Sequence, residues 1–307
     1  MTAPRSGRAS HEVVRTRGGA LAIRSLEAGE VMHPGVGPLV EAERLYVRQS
    51  RLAERLCRLD PGDAAAGGPP LVLFDVGLGA GSNALAARAA SERSPGAARR
   101  LELVSFERDL GALELALAHG AAFGLESDGG PDRAGGGSNG AQAVRALLAA
   151  GRHETARTVW RLQRGDLLEA LARERARADI VFWDPFSPRA NPSLWTVAAF
   201  SAMRRAAAAR ATLFTYSAST AARVAMLLAG WAVGVGEPIG DKLATTAAAI
   251  DPADLARPLD RAWLGRLARP DVPLPADAGA DFAARVARAP QFSGDPLNRA
   301  RIGPGAG

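Results

Sequence analysis

The stretch Phe74-Asp75-Val76-Gly77-Leu78-Gly79-Ala80-Gly81-Ser82-Asn83 decides the fold. Residues 71–76 form an apolar run that ends in glycines, the pattern of a strand buried on both faces. Glycines at 77, 79 and 81 remove Cβ atoms where this strand turns into the next element, so a ligand can approach the main-chain N–H groups. Residues 82–90 then have the composition of a helix.

Outward from this loop the chain alternates. Further strands are expected at 101–106, 158–163, 180–183 and 212–216. Helices are expected at 110–123, 141–150, 167–175, 198–209 and 220–229. Residues 231–235 and 243–250 form an antiparallel closing pair. Strands alternating with helices imply a mostly parallel sheet covered on both faces. Ahead of the loop, residues 13–16 and 21–24 flank Gly18-Gly19 as a hairpin. Residues 29–38 form a loop. Ser50 is the expected N-cap of a helix carrying Leu52, Leu56 and Leu59. Residues 60–70 are a linker, and 126–140 a Gly/Asp/Ser-rich flexible insertion. The first ten residues are a disordered lead. From 251 onward the chain is a proline-rich, peripheral tail with short helical pieces. The organisation expected is an N-terminal β-hairpin and helix extension (1–60), a ligand-binding domain (71–250) and the tail (251–307).

Of 307 residues, 47% are apolar and 23% charged, enough for a buried core in one large domain or two small ones. Net charge is +6, which favours polyanions, but Lys242 is the only lysine and the Arg, Ala and Gly richness accounts for much of the bias. Cys57 is the only cysteine, so no intrachain disulfide can form and a reducing compartment fits. The N-terminus has no apolar core of a signal peptide, and no apolar run reaches membrane-spanning length. A cytoplasmic protein with no membrane association is expected.

Taken alone, the loop suits a dinucleotide, a phosphate, S-adenosylmethionine or a plain tight turn. The dinucleotide spacing from Gly77 requires Gly at 82, where Ser82 stands. A looser match over 79–84 lies late relative to the strand end. Three acids narrow the choice. Glu107 follows the second strand, where an acid can take ribose hydroxyls. Asp166 follows the third, where an acid can meet an adenine amino group, and Asp184 ends the fourth. Any one of them is as readily a helix N-cap or a loop charge. Together they lie at strand carboxyl ends, where open α/β sheets bind ligands. The expected fold is therefore Rossmann-like α/β: doubly wound and mostly parallel, with an antiparallel closing strand and a small N-terminal β extension. Asp75, Gly77, Gly79, Gly81, Asn83, Glu107 and Asp166 are the expected cofactor-binding residues.

The segment Asp184-Pro185-Phe186-Ser187-Pro188-Arg189-Ala190-Asn191-Pro192-Ser193-Leu194-Trp195 carries the chemistry. Asp-Pro-Phe after a buried strand resembles the Asp-Pro-Pro-Tyr motif of amino methyltransferases. There a carboxylate and a main-chain carbonyl hold the N–H groups of an amine while its lone pair faces the sulfonium methyl. The whole segment resembles the signature of the methyltransferase domain of bacterial tRNA 5-methylaminomethyl-2-thiouridine synthesis enzymes, in its stand-alone form. Val31-Met32-His33, Gly37, Glu41 and Tyr46-Val47 resemble that family's N-terminal segment, and Gly240-Asp241-Lys242 its Gly-x-Lys-Arg element. The resemblance runs from about residue 29 to about 250. Leu243 departs from the family's usual Arg, and Pro185 from its common Gly.

The resemblance implies a class I methyltransferase, with S-adenosylmethionine as the cofactor held by the residues named above, and N-methylation of a 5-aminomethyl uridine at the tRNA wobble position. It implies catalytic roles for Asp184, Pro185 and Phe186, and substrate contacts from His33, Glu41, Asn191 and Lys242. An upstream oxidative step falls to a separate flavin oxidoreductase. The four histidines show no ligand spacing, so no metal is expected, and Ser217 lies in no Gly-x-Ser-x-Gly elbow. Two other readings stay open: a nucleotide-cofactor oxidoreductase, and a non-catalytic RNA-binding or scaffold relative.

Overall fold

The computed structural model describes residues 10–16, 18–32, 37–58, 68–94, 96–125, 140–239, 243–269 and 271–292. Residues 1–9 of the expected N-terminal lead, most of the 60–70 linker and residues 126–139 of the expected insertion therefore lie outside the described residues, as do Leu59, Gly240 and Asp241.

The chain opens with a three-stranded antiparallel sheet: β1 (His11–Arg15), β2 (Leu21–Ser25) and the two-residue β3 (Glu30–Val31). The expected hairpin is present, and β3 lies within the expected loop. A short helix α1 (Pro38–Glu41) continues as a π-helix over Ala42–Arg48, then α2 (Leu52–Cys57) follows. The sequence reading missed α1 and its π continuation. Ser50 is not the N-cap. Arg51 holds that position with φ 54°, while the Ser50 hydroxyl donates to the Val47 carbonyl at 3.1 Å, closing the end of the π-helix instead.

The main sheet follows. In chain order come β4 (Leu71–Val76), α3 (Ser82–Glu92), β5 (Leu101–Glu107), α4 (Gly111–Ala118), α5 (Gly140–Ala150), β6 (Arg152–Glu154) and β7 (Thr158–Arg164). Then come α6 (Leu167–Arg173), β8 (Ala178–Trp183), α7 (Val197–Arg205), β9 (Ala207–Thr215), α8 (Thr220–Leu228), β10 (Ala232–Gly236) and β11 (Thr245–Ala249). Their spatial order is β10-β11-β9-β8-β4-β5-β7-β6. Strands β7, β5, β4, β8 and β9 run parallel, and β11 and β10 close one edge antiparallel. Strand β6, unexpected from sequence, adds an antiparallel strand at the other edge. This is the expected Rossmann-like, doubly wound α/β architecture. The predicted helix over 198–209 ends early because 207–210 already belong to β9. Ala207 pairs with Ala178 across a register shift, so sheet pairing overrides the helix preference of the Ala run.

The two faces of β4 explain the core. Leu71 and Leu73 point into the cluster beneath α3, α4 and α5, with Trp160 and Phe182. Val72, Phe74 and Val76 point into the other cluster beneath α7 and α8, with Trp183 and Trp231. Every residue of β4 is buried, as a two-sided apolar run requires.

The described residues after 250, up to Phe292, are not peripheral. A 3-10 helix at Arg261–Ala268 and helix α9 (Phe282–Ala287) bury Trp263, Val286 and Phe292 in the second cluster. The Gln291 amide bridges the backbone of Val233 and Leu259, and the Asp277 carboxylate accepts from the Val197 and Ala198 N–H groups at the start of α7. Short apolar pieces between prolines carry little periodicity, so their burial was not visible locally.

Candidate active site

The topology reverses between β4 and β8. From β4 the chain winds outward through β5 and β7, then returns to β8 on the other side. A crevice opens at the carboxyl ends of such strands. Here it is a cleft of about 870 Å³. Its floor is Val76 to Gly79, one side is Phe106, Glu107, Gly165 and Asp166, and the other is Asp184 to Ser187 with Asn191 and Tyr216. The N-terminal sheet supplies the remaining wall through His11, Ser25, Glu30 and Met32.

Main-chain bonds lace the strand ends together. The Gly77 N–H donates to the Phe106 carbonyl at 3.1 Å, Asp184 N–H to Val76 at 2.9 Å, and Gly165 N–H to Glu107 at 2.9 Å. The glycines serve close approach. A Cβ on Gly77 would lie 2.7 Å from the Asp184 carbonyl oxygen, and one on Gly79 would lie 3.1 Å from the Met32 sulfur. Both have positive φ, 84° and 51°.

The acids divide by task. Glu107 Oε2 accepts from the Gly79 N–H at 3.0 Å, and Oε1 from Arg108 and Asp109 N–H at 2.7 and 2.9 Å. It thus clamps the glycine loop to the end of β5 while facing the cleft. Asp166 lines the cleft and also caps α6, accepting from the Leu168 and Glu169 N–H groups. The N-cap reading therefore holds for Asp166 together with its place on the cleft. The Asp184 carboxylate accepts from the Asn83 side-chain amide at 2.7 Å.

Three expected binding residues do not line the cleft. Asp75 is fully buried, and its carboxylate accepts from the Ser105 hydroxyl at 2.8 Å, which in turn accepts from Trp160 Nε1 at 3.0 Å. Strand alternation turns it to the α3 side with Leu73. Gly81 packs against Leu113, and Asn83 reaches the cleft only through Asp184. Gly77, Gly79, Glu107, Asp166, Asp184, Pro185, Phe186, Glu41 and Asn191 do line it. His33 and Lys242 lie outside the described residues.

The segment after β8 is densely held. The Pro185 carbonyl, expected to face an amine, already accepts from the Tyr216 hydroxyl at 3.0 Å. The Phe186 carbonyl accepts from Trp195 Nε1 at 2.8 Å. Ser187 gives its N–H at 3.0 Å, and also its hydroxyl, to the Glu30 carboxylate. Sequence reasoning missed Glu30 and Tyr216, and took Tyr46 only as part of a resemblance. Tyr46 is fully buried beneath Asp184. Burial raises its pKa well above the ordinary value, and the charges of Asp184 and Glu41 raise it further. Tyr216 is raised likewise, by burial first and then by Asp184, Glu30 and Glu41. Both phenols therefore stay protonated at neutral pH, and Tyr216 serves as a donor to the Pro185 carbonyl rather than as a base.

The residues present fit a nucleoside-type methyl donor. Cβ-free main chain lies beside two cleft-facing carboxylates, and Glu107 Oε2 has a lone pair left after its bond to Gly79. Among the described residues, no group of three or more His, Cys, Asp or Glu is placed to hold a metal ion.

Comparison with known proteins places the chain among methyltransferases. Residues 142–251 match a family model described as S-adenosyl-L-methionine-dependent methyltransferase, a stretch that includes Asp166, Asp184 and Tyr216. Relatives include the tRNA 5-methylaminomethyl-2-thiouridine biosynthesis bifunctional protein MnmC of Azoarcus sp. (strain BH72), 33% identical over 70% of this chain and 32% of its own length. That of Stutzerimonas stutzeri (strain A1501) is 31% identical over 68% of this chain and 30% of its own length. The aligned region thus spans about a third of these curated relatives. The solved structure of MNMC2 from Aquifex aeolicus shares the fold, with a TM-score of 0.59 and 24% identity over 80% of this chain and 72% of that one.

Fold and site together define a Rossmann-like methyltransferase of the S-adenosyl-L-methionine-dependent class. The chain carries an MnmC-like methyltransferase domain, and S-adenosylmethionine is the cofactor of that class.

Proposed function

We propose that the chain methylates an amine nitrogen, and that the acceptor is the aminomethyl group of a wobble-position 5-aminomethyl(-2-thio)uridine in tRNA. The observation that carries this reading is the placement of Asp184. Its carboxylate stands on the same cleft as Gly77, Gly79 and Glu107, held there by Asn83. Bound S-adenosylmethionine supplies an electrophilic methyl on sulfur. The protein's part is to bind, orient and exclude water.

Gly77 and Gly79 offer main chain to the methionyl part, Glu107 accepts from the ribose hydroxyls, and Asp166 from the adenine amino group. Asp184 accepts an N–H of the neutral amine and so aims its lone pair. Tyr216 occupies one lone pair of the Pro185 carbonyl, so Asp184 carries most of this orientation. Phe186 is half-buried on the cleft, where a pyrimidine ring can stack. Glu41 and Asn191 line the acceptor side, and Lys242 and His33 are kept as expected substrate contacts. Positioning accounts for most of the rate, since the amine needs only to lose its ammonium proton. An anticodon-loop base is already unpaired and can enter a pocket.

The names of the relatives support the tRNA acceptor. Such chemistry belongs in the cytoplasm, downstream of a separate flavin oxidoreductase. No helix among the described residues is long and apolar enough to cross a membrane. The test is Asp184→Ala, assayed for transfer of labelled methyl to tRNA lacking the final modification. Transfer is lost while S-adenosylmethionine still binds. Undiminished transfer removes Asp184 from the mechanism.

A further inference from the structure

The segment that carries Asp184 is short of backbone donors. Prolines at 185, 188 and 192 have no N–H, so the loop cannot hold itself by a regular ladder. Two of its internal backbone bonds converge on one residue. The Ser187 carbonyl accepts from the Ala190 N–H at 3.0 Å and from the Asn191 N–H at 2.8 Å. Ser187 is thus the hub of the turn, and its own two donors both go to Glu30. The Glu30 carboxylate also lies 3.7 Å from the Arg189 guanidinium, and its side chain is 18% exposed.

Other restraints on this segment come from Asn83 of α3, Tyr216 just after β9, Trp195 of the loop's own 3-10 turn and the buried Tyr46 of the π-helix beside Asp184. Glu30 reaches it from the N-terminal sheet, 157 residues away in sequence. Strand β3 is only two residues long, and its pairing with β2 through Arg24 and Ser25 sets where that carboxylate stands. A partly buried carboxylate taking an N–H and an O–H from one residue makes charge-assisted bonds, stronger than neutral ones.

We propose that Glu30 is a positioning residue for methyl transfer: the N-terminal sheet uses it to hold the Ser187 turn, and through it Asp184, in the reactive shape. This rests on the amine-methylation reading above. Glu30 acts through Ser187.

The test uses the whole chain, with the variants Glu30→Ala, Glu30→Gln, Ser187→Ala and the double Glu30→Ala/Ser187→Ala. Hydrogen exchange in the 184–195 peptide reads the restraint with no acceptor present. Calorimetry reads the affinity for S-adenosylmethionine, and labelled-methyl transfer to hypomodified tRNA reads kcat and KM. In Glu30→Ala, amide exchange at 187–191 rises about tenfold or more and kcat falls by about tenfold or more, while cofactor affinity stays within about twofold. Glu30→Gln, which keeps one acceptor oxygen, recovers most of both effects. The double variant is no worse than Glu30→Ala, because Ser187 and Glu30 act as one unit. Unchanged exchange in Glu30→Ala overturns the proposal, as does faster exchange with unchanged kcat. A joint collapse of cofactor binding and melting temperature in Glu30→Gln also overturns it, since that marks a purely structural role. A wild type inert on tRNA, with exchange still responding to Glu30, counts instead against the amine reading and takes the positioning role with it.

Discussion

The Asn83 side-chain amide donates to the Asp184 carboxylate at 2.7 Å, tying the first turn of α3 to the end of β8 across 101 residues of chain. The glycine-loop end of α3 and the acid at the end of β8 are thus one mechanical unit. Asn83 is buried, so the bond is sheltered from water. Asn83→Ala removes this bond from Asp184. A hydrogen bond to a charged group contributes about 1.5–3 kcal/mol, so kcat falls about ten- to hundredfold. Calorimetry should find cofactor affinity little changed. A loss confined to cofactor affinity would instead make Asn83 a cofactor contact.

Gly77→Ala places a methyl group 2.7 Å from the Asp184 carbonyl oxygen, on a residue with φ 84°. The obstacle is backbone, so it cannot swing away. The variant should lose about 2 kcal/mol or more of stability in urea titration, together with cofactor binding. Gly265→Ala is the control, because nothing lies within 4 Å of its Cβ position and its φ is not positive. Equal effects at both sites would contradict the tight approach of the loop to β8.

The C-terminal segment is part of the core. Phe292 is 2% exposed and packs in the cluster that holds Trp231 and Val286. Phe292→Ala should cost about 3–5 kcal/mol in denaturant unfolding. A change below about 0.5 kcal/mol, typical of a surface site, would return the segment to the status of a loose tail.

Arg161 bridges Glu102 and Glu174 at 2.6 and 2.9 Å. Burial pushes the Glu174 pKa up, but the Arg161 guanidinium, the Ala176 N–H and Gln163 outweigh it and hold the pKa at about 2, against 4.5 for a free Glu. The unfolded chain therefore takes up this proton first as the medium is acidified. The stabilisation is complete above the unfolded value and is lost as pH falls toward the folded one. Urea titrations of wild type and Glu174→Gln should differ by a constant amount above pH 4.5, and the gap should close between 4.5 and about 2. A gap independent of pH would show that the fold does not shift the Glu174 pKa.

Much of this was legible in the sequence where the signal is local. The apolar run 71–76 with its glycines marked the central strand, and acids at 107, 166 and 184 marked strand ends that the sheet brings onto one cleft. Side-chain direction was less legible. Asp75 sits one residue from the cleft-lining Val76, yet strand alternation turns it to the α3 face of the sheet, where Ser105 meets it. Asn83 keeps the motif's frame but spends its amide on Asp184. Least legible was the N-terminal wall. A two-residue strand has no periodicity, and the meeting of Glu30 with Ser187 exists only once both sheets are formed. Tyr216 follows an ordinary buried strand, and nothing in its neighbours announces the Pro185 carbonyl.

The most direct measurement is calorimetric titration of the purified chain with S-adenosylmethionine, with NADH as the comparison. The account predicts saturable binding of the sulfonium cofactor alone in the micromolar range, about −8 kcal/mol. Binding of NADH in preference, or of neither, would contradict it.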